Sequence, residues 1–183
     1  MEVKAKNGER FEFRQLLESD GEILGNFFVG LSEDTRSKFG PHPLTENYAK
    51  ETLCKRPDSE DVSRFVVASI EKIVGYFIVD FNEYPHERER YESYGIELDF
   101  NIDPVFAPCI ADNYQSQGIA SQAMIAMLGI LQDKGVRSLV LMGGTQAPNI
   151  QAVDFYKKFS FAECGEFYTD HNGLNNLDMR VLL

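Results

Sequence analysis

Gln115-Ser116-Gln117-Gly118-Ile119-Ala120 stands between a strand-like run and the most regular helical pattern in the chain. From Gly118 to Lys134, Ile119, Ala120, Ala123, Met124, Met127, Leu128 and Leu131 recur at helical spacing, and Gly135 follows where a C-terminal cap belongs. A helix start offers backbone N–H groups that have no partner inside the helix, together with the positive end of the macrodipole. A phosphate accepts those bonds when no side chain stands in the way. Gly118 and Ala120 are small enough to permit that approach. Taken alone, the stretch is more simply explained as a glycine easing the turn into a helix. Neither GxxxxGK(S/T) nor GxGxxG occurs, which sets aside P-loop nucleotidases and dinucleotide-binding folds.

The elements on either side are read from periodicity and punctuation. Residues 10–17 read as a first strand, and Asp20 is positioned to cap a helix bearing Ile23, Leu24, Phe27, Phe28 and Leu31. A second helix runs from residue 32 or 33 to 38, Gly40-Pro41-His42-Pro43 breaks the chain, and Thr45 caps a third helix through Leu53. Residues 64–70 and 73–81 read as strands, with Glu71-Lys72 as a tight hairpin. The charged stretch from Asn82 to Gly95 is expected as a solvated loop or short helix. Residues 96–102 and 105–111 are both strand-like, as one bent strand or two, and Pro108 requires a missing ladder bond. After the 118–134 helix come a strand at 138–142, a turn at Gly143-Gly144-Thr145 and a helix from Asn149 to Lys158. Two strands at 161–168 and 176–182, joined through His171-Asn172-Gly173, close the chain. The pattern is α+β (α/β three-layer): one domain over residues 1–183, a mixed, mostly antiparallel sheet flanked by helices.

Gln115-x-x-Gly118-x-Ala120, preceded by a strand and Tyr114, resembles the Q/R-x-x-G-x-G/A loop of the GCN5-related N-acetyltransferases. Downstream, Asn149-x-x-Ala152-x-x-Phe155-Tyr156-x-x-Phe159-Ser160-Phe161 is similar to that family's N-x-x-A-x-x-F-Y-x-x-x-G-F helix, with Ser160 replacing the glycine, so the turn there is expected to differ slightly. The two motifs, in order and on suitable elements, are far more specific than either alone. The resemblance follows element order over roughly the whole chain and is motif-specific between Ile110 and Phe161.

What the resemblance implies is a GNAT-like acyl-CoA N-acyltransferase fold and acetyl transfer from acetyl-CoA to a primary amine of a small molecule or polypeptide. The amine would attack directly in a ternary complex. Backbone N–H groups of Gln117, Gly118, Ile119, Ala120 and Ser121 would bind the pyrophosphate, with Ser116 in the same loop and Gln115 steadying it. Cys109, Ile110 and Ala111 would align the pantetheine by main-chain bonds, and N–H groups near Ile110 would stabilise developing negative charge. Asn149, Ala152 and Tyr156 share one helical face, which the resemblance sets against the pantetheine arm. Asn149 is also a natural cap, and Phe155 reads as core more readily than ligand. Tyr156 is the proposed catalytic acid: a phenol of pKa about 10 can protonate a departing thiolate whose conjugate acid lies near 8.5. Glu97, Asp99, Asp103 or a bound water is the general base. His42 and His86 sit in loops that could line an acceptor pocket, with solvation the default for each. A non-catalytic acyl-CoA-binding sensor is the alternative from another class.

Composition fits this reading without naming the acceptor. The net charge of −11 and pI near 4.7 disfavour nucleic acid and favour a cationic acceptor. Cys54, Cys109 and Cys164 form no CxxC pair and read as reduced thiols. No apolar run reaches the roughly 20 residues of a membrane helix, and residues 1–9 lack a signal-peptide core. A cytoplasmic enzyme needing no metal is expected, with room for a homodimer.

Overall fold

Apolar side chains at every second position, Val3, Phe11, Phe13, Phe65 and Val67, turn one face of the N-terminal strands inward. The computed structural model describes residues 1–57, 59, 61–170 and 172–183. The turn expected around His171 therefore lies partly outside the described residues. The chain divides into two compact units, residues 1–79 with 107–129, and residues 80–106 with 130–183.

The first unit begins with β1 (Glu2–Lys4), which pairs antiparallel with β2 (Arg10–Gln15). At three residues, β1 bears too little pattern to read from sequence. Helices α1 (Gly21–Gly30), α2 (Glu33–Ser37) and α3 (Glu46–Tyr48) follow, with a π turn at Ala49–Leu53 extending the last. Leu24, Phe27 and Phe28 are the buried stripe of α1. A Cβ on Gly25 would stand 3.1 Å from the Glu46 Cα, so glycine is what lets α1 press against α3. Asp20 occupies the cap position of α1 but does not cap it. Its carboxylate instead pairs with Arg14 (2.7 and 2.9 Å) and accepts from the Leu17 N–H, a stronger set of charged bonds. Ser32 and Thr45 do cap α2 and α3.

β2 pairs with β3 (Val62–Ala68), which leads into β4 (Ile73–Asp80). The connection is four residues, not two. Ser69 Oγ accepts from the Glu71 and Lys72 N–H groups and closes the turn, leaving Ile70 98% exposed. Strand β5 (Val105–Ile110) enters this unit at Ala107, and helix α5 (Ile119–Asp133) leaves it after Gly129. Ile119, Ala123, Met124 and Met127 are the buried face of α5.

The second unit holds α4 (Pro85–Ser93), β6 (Ser138–Leu141), β7 (Thr145–Gln146), α6 (Ile150–Lys158), β8 (Ala162–Thr169) and β9 (Leu174–Leu182). β9 pairs antiparallel with β6, β7 and β8. β5 and β6 run parallel over two residue pairs, Val105 with Val140 and Phe106 with Leu141. Residues 96–102 are not a strand. Leu98 and Phe100 point into a cluster with Tyr91, Val105 and Val140, while Asp99 closes a turn through the Ile102 and Asp103 N–H groups. Alternation there reflects two buried anchors on irregular backbone. Among the described residues no helix is long and apolar enough to cross a membrane.

Candidate functional site

The loop from Ala111 to Gly118 is built by two left-handed residues, Ser116 (φ +57°) and Gly118 (φ +81°). The first bond of the following helix runs from the Gln122 N–H to the Gly118 carbonyl (3.3 Å), so the N–H groups of Gly118, Ile119 and Ala120 precede the helical ladder. A Cβ added to Gly118 would find only Gln122 Nε2 within 4 Å, at 3.8 Å. The glycine thus serves its φ and keeps the approach to the helix start open, the condition a phosphate requires. Ile119 is buried beneath, and Ala120 and Ser121 are half-buried.

Side chains far away in sequence hold this loop. Gln115 Nε2 donates to Thr35 Oγ1 (3.2 Å) and to the Ile110 carbonyl (3.3 Å). Asp112 accepts from the Ser32 N–H (3.0 Å), Ser32 Oγ (2.6 Å) and Thr35 Oγ1 (2.7 Å). Burial works to raise the Asp112 carboxyl, and these bonds from Ser32 and Thr35 outweigh it and hold the group low. On the other side, the Lys6 N–H bonds the Gln117 carbonyl (3.1 Å) and Lys6 Nζ bonds the Ser116 carbonyl (2.8 Å). Gln122 exchanges bonds with the Lys4 backbone. Tyr114 packs edge-on to Phe11 and bonds Glu9, which also pairs with Lys72 (2.7 Å). Lys72, Asn7 and Tyr114 together pull the Glu9 carboxyl down to about 2. Ser32, Thr35 and Lys6 were not identified as part of this site. Ser32-x-x-Thr35 is legible as a helix cap, but its partner lies some 80 positions on.

Cys109 and Ile110 end β5, and the Ala111 N–H bonds the Val74 carbonyl (2.9 Å). Cys109 is buried, which pushes its thiol up to about 12 and makes it a poor nucleophile at neutral pH. In the second unit, the β5–β6 register stops at Phe106, closed by the Met142 N–H on the Phe106 carbonyl. Cys54, Cys109 and Cys164 are all free.

Helix α6 carries the second motif. Asn149 is its cap, Oδ1 accepting from the Ala152 N–H at 3.4 Å. Tyr156 is 7% exposed, its ring against Phe155 (5.5 Å) and Phe161 (5.3 Å). Phe155 and Ala152 are half-buried. The helix ends with the Phe161 N–H on the Tyr156 carbonyl and the Ser160 N–H on the Lys157 carbonyl. Ser160 has φ +64°. The turn expected to differ at Ser160 instead adopts the left-handed conformation that glycine ordinarily supplies, because the double bond to the helix end demands it.

The carboxylates considered as bases separate cleanly. Asp103 is fully buried and accepts from Arg137, Ser138 Oγ (2.5 Å), Arg180 (3.2 Å) and the Asp99 N–H (3.0 Å). Burial works against its charge, but the bonds from Arg137 and Ser138 win and keep the carboxyl low. Asp99 bonds the Asn101 backbone and side chain, and Glu97 is exposed. Asp103 is therefore a structural anchor and a weak base.

Two further expectations need correction. The charged 82–95 stretch holds the short helix that was one of its two expected forms, but it is not wholly solvated: α4 buries Glu87 and Tyr91, because Arg90 bridges Glu87 to the buried Asp178 (2.9 Å) and lies over Phe167 (3.9 Å). Glu87 also accepts from the Gly143 N–H (2.8 Å), at the end of β6. His42 is not a solvated loop histidine. It stacks on Tyr48 (5.3 Å) beside Phe28 and Tyr76, and burial lowers its pKa. His86 is exposed, as expected. Among the described residues no cluster of three His, Cys, Asp or Glu is placed to hold a metal ion.

The acetyltransferase (GNAT) family pattern matches residues 28–161. No curated protein sequence matches the chain. Among solved structures, the GNAT domain of S. lividans PAT is 13% identical and superposes with a TM-score of 0.72, over 100% of this chain and 96% of that one. The ribosomal-protein-S5-alanine acetyltransferase from Vibrio fischeri is 14% identical, with a TM-score of 0.71 over 100% and 96%. The spermidine N-acetyltransferase from Vibrio cholerae, in complex with CoA and spermine, is 18% identical, with a TM-score of 0.68 over 94% and 95%. At these identities the structural likeness speaks for the fold.

Proposed function

The chain belongs to the acetyltransferase (GNAT) family and is an acetyl-CoA-dependent N-acetyltransferase, and from that premise we propose that its acceptor is a primary amine of a small molecule or polypeptide, which attacks the acetyl group directly in a ternary complex. Acetyl-CoA supplies the activated acetyl thioester. The backbone N–H groups from Gln117 to Ser121 bind its pyrophosphate, and the main chain at Cys109, Ile110 and Ala111 aligns its pantetheine. The observation that carries this reading is the helix start at Gly118, where the backbone turns left-handed and a Cβ on the glycine would meet only Gln122 Nε2, at 3.8 Å. Gln115 acts by holding the loop, since its amide nitrogen donates to Thr35 and Ile110.

Tyr156 donates the proton to the departing thiolate, which a phenol of ordinary acidity does favourably. Asn149 organises the start of the same helix, and Ala152 keeps that face small. Asp103 is excluded as base by its arginine pairs, so the incoming ammonium, of pKa near 10.4, loses its proton to water or an exposed carboxylate such as Glu97. The amines named for the relatives, spermidine and the S5 alanine, indicate the breadth of acceptors on this fold. The net charge of −11 favours a cationic one. We take residues 1–183 as one acetyltransferase domain, the family match drawing on both units, and a cytoplasmic location rests on the three free thiols.

The test has two variants and a panel. Gly118→Glu is expected to abolish acetyl-CoA binding in calorimetry, by adding bulk and negative charge at the helix start; wild-type affinity in a folded variant would reject the cradle. Tyr156→Phe is expected to lower turnover by about 10²–10³-fold, on the scale of a lost general acid, while acetyl-CoA affinity is kept. Thiol release over an amine panel identifies the acceptor, and binding without turnover on any amine would assign a sensor instead.

A further inference from the structure

Between Arg90 and Lys134 the sequence contains no lysine, arginine or histidine. The whole cradle, from β5 through the loop to the end of α5, therefore carries no cation of its own. It does carry Asp112, inside a chain of net charge −11. Helix-start N–H groups contribute only partial charge, and a ligand with several phosphate charges gains from a full cation in reach. Gln115, at the head of the loop, is neutral and bound to Thr35 and Ile110.

Two ammonium groups reach the loop from outside among the described residues: Lys72, already paired with Glu9, bonds the Tyr114 hydroxyl, and Lys6 bonds the main chain beside the helix start. Lys6 follows β1, and its backbone N–H on Gln117 fixes the residue beside the left-handed turn. Its Nζ then donates to the Ser116 carbonyl at 2.8 Å. Lys6 is exposed and has no carboxylate partner among the described residues. The acid on the same turn, Glu9, is committed to Lys72, Tyr114 and Asn7. A carbonyl takes one of the three ammonium protons, so Lys6 retains two donors and its full charge at Ser116, two positions before Gly118.

We propose that Lys6 supplies the cation for a coenzyme A phosphate at this cradle, a charge the loop itself lacks. The inference rests on the cradle reading above and deepens it by naming a cofactor-recognising residue outside both sequence motifs. The pyrophosphate and the 3′-phosphate share the chemistry that Lys6 recognises.

Calorimetric affinities for acetyl-CoA, CoA and 3′-dephospho-CoA, measured at low and high salt, decide it in four proteins: wild type, Lys6→Arg, Lys6→Gln and Lys6→Met. Lys6→Met and Lys6→Gln are expected to weaken acetyl-CoA binding about fivefold to twentyfold, in the range of one charge-assisted bond, and to flatten its salt dependence. Lys6→Arg should retain most of the affinity. A loss seen for CoA but not for 3′-dephospho-CoA assigns the 3′-phosphate, and an equal loss for both assigns the pyrophosphate. Glutamine can still bond the Ser116 carbonyl, so full affinity in Lys6→Gln would overturn the proposal in favour of loop holding alone. Wild-type affinity and salt slope in Lys6→Met would overturn it outright. Failure of the wild-type protein to bind acetyl-CoA at all would instead reject the cradle reading.

Discussion

Ser160 holds a left-handed conformation that costs an L-residue about 1 kcal/mol. It does so because the α6 terminus needs it: the Phe161 N–H returns to the Tyr156 carbonyl only if residue 160 has positive φ. The same turn sets Phe161 against the Tyr156 ring, so the strain at one residue maintains the packing of the proposed acid. Ser160→Gly is expected to stabilise the protein by up to about 1 kcal/mol, less what glycine adds to the freedom of the unfolded chain. Urea unfolding measures it, and a lower midpoint in the variant would show that the serine side chain holds a partner worth more than the strain. At Gly118 the residue needed for the conformation is present and was legible as such. At Ser160 the position was legible and the conformation was not, because propensity argued against it.

At the level of elements, α4 and the 96–103 segment show where periodicity fails and why. Residues 96–102 alternate like a strand, yet Leu98 and Phe100 are anchors beneath Tyr91 and Val140, and Asp99 and Asp103 organise the backbone around them. Charge-rich α4 reads as solvated until Asp178, 88 positions from Arg90, supplies the partner that draws Arg90 and Glu87 inward. Local pattern was enough for α1, α5 and α6, whose apolar stripes each meet a core. It was not enough for β1 and β7, of three and two residues, which exist only through their pairing with β2 and β9. The loop motif and the α6 motif were legible in full, whereas the Ser32–Thr35–Asp112 lock and the Lys6 contact depend on pairings 77 to 110 positions apart. Asp103 belongs with these long-range anchors. Asp103→Asn is expected to destabilise by about 3 kcal/mol, because it leaves the partly buried Arg180 without its carboxylate. Turnover per folded molecule should stay within a few-fold of wild type; a loss beyond a hundredfold in a folded variant would make Asp103 the base after all.

Over the whole molecule, 29 acidic side chains stand against 18 basic ones, and self-repulsion eases as pH falls toward the pI near 4.7. Specific groups work against that gain. His42 is held neutral by burial among Phe28, Tyr48 and Tyr76; its Nδ1 faces the Pro43 carbonyl, so Nδ1 bears the proton, and Nε2 is buried without a hydrogen-bond partner among the described residues. Its folded pKa lies below the unfolded value of 6.5. The unfolded chain therefore binds the extra proton first, and stability is full above about pH 6.5 and declines as pH falls below it. Asp103 and Asp112, held low by their donors, act in the same direction further down: their contribution is present above the unfolded carboxylate range near 4 and is lost as pH falls through their folded values. Glu87, raised by burial, has the opposite sign, its contribution being present below the unfolded carboxylate range and lost as pH rises through its higher folded value. Between pH 7 and 5 the wild-type Tm is expected to fall more steeply than that of His42→Gln, in which the aromatic cluster has no titrating member. Glu87 is common to both proteins and cancels in the difference between the two slopes. Equal slopes in calorimetric scans across that window would mean that His42 accepts its proton without leaving the folded state, and that the cluster around Tyr48 and Tyr76 tolerates a charge.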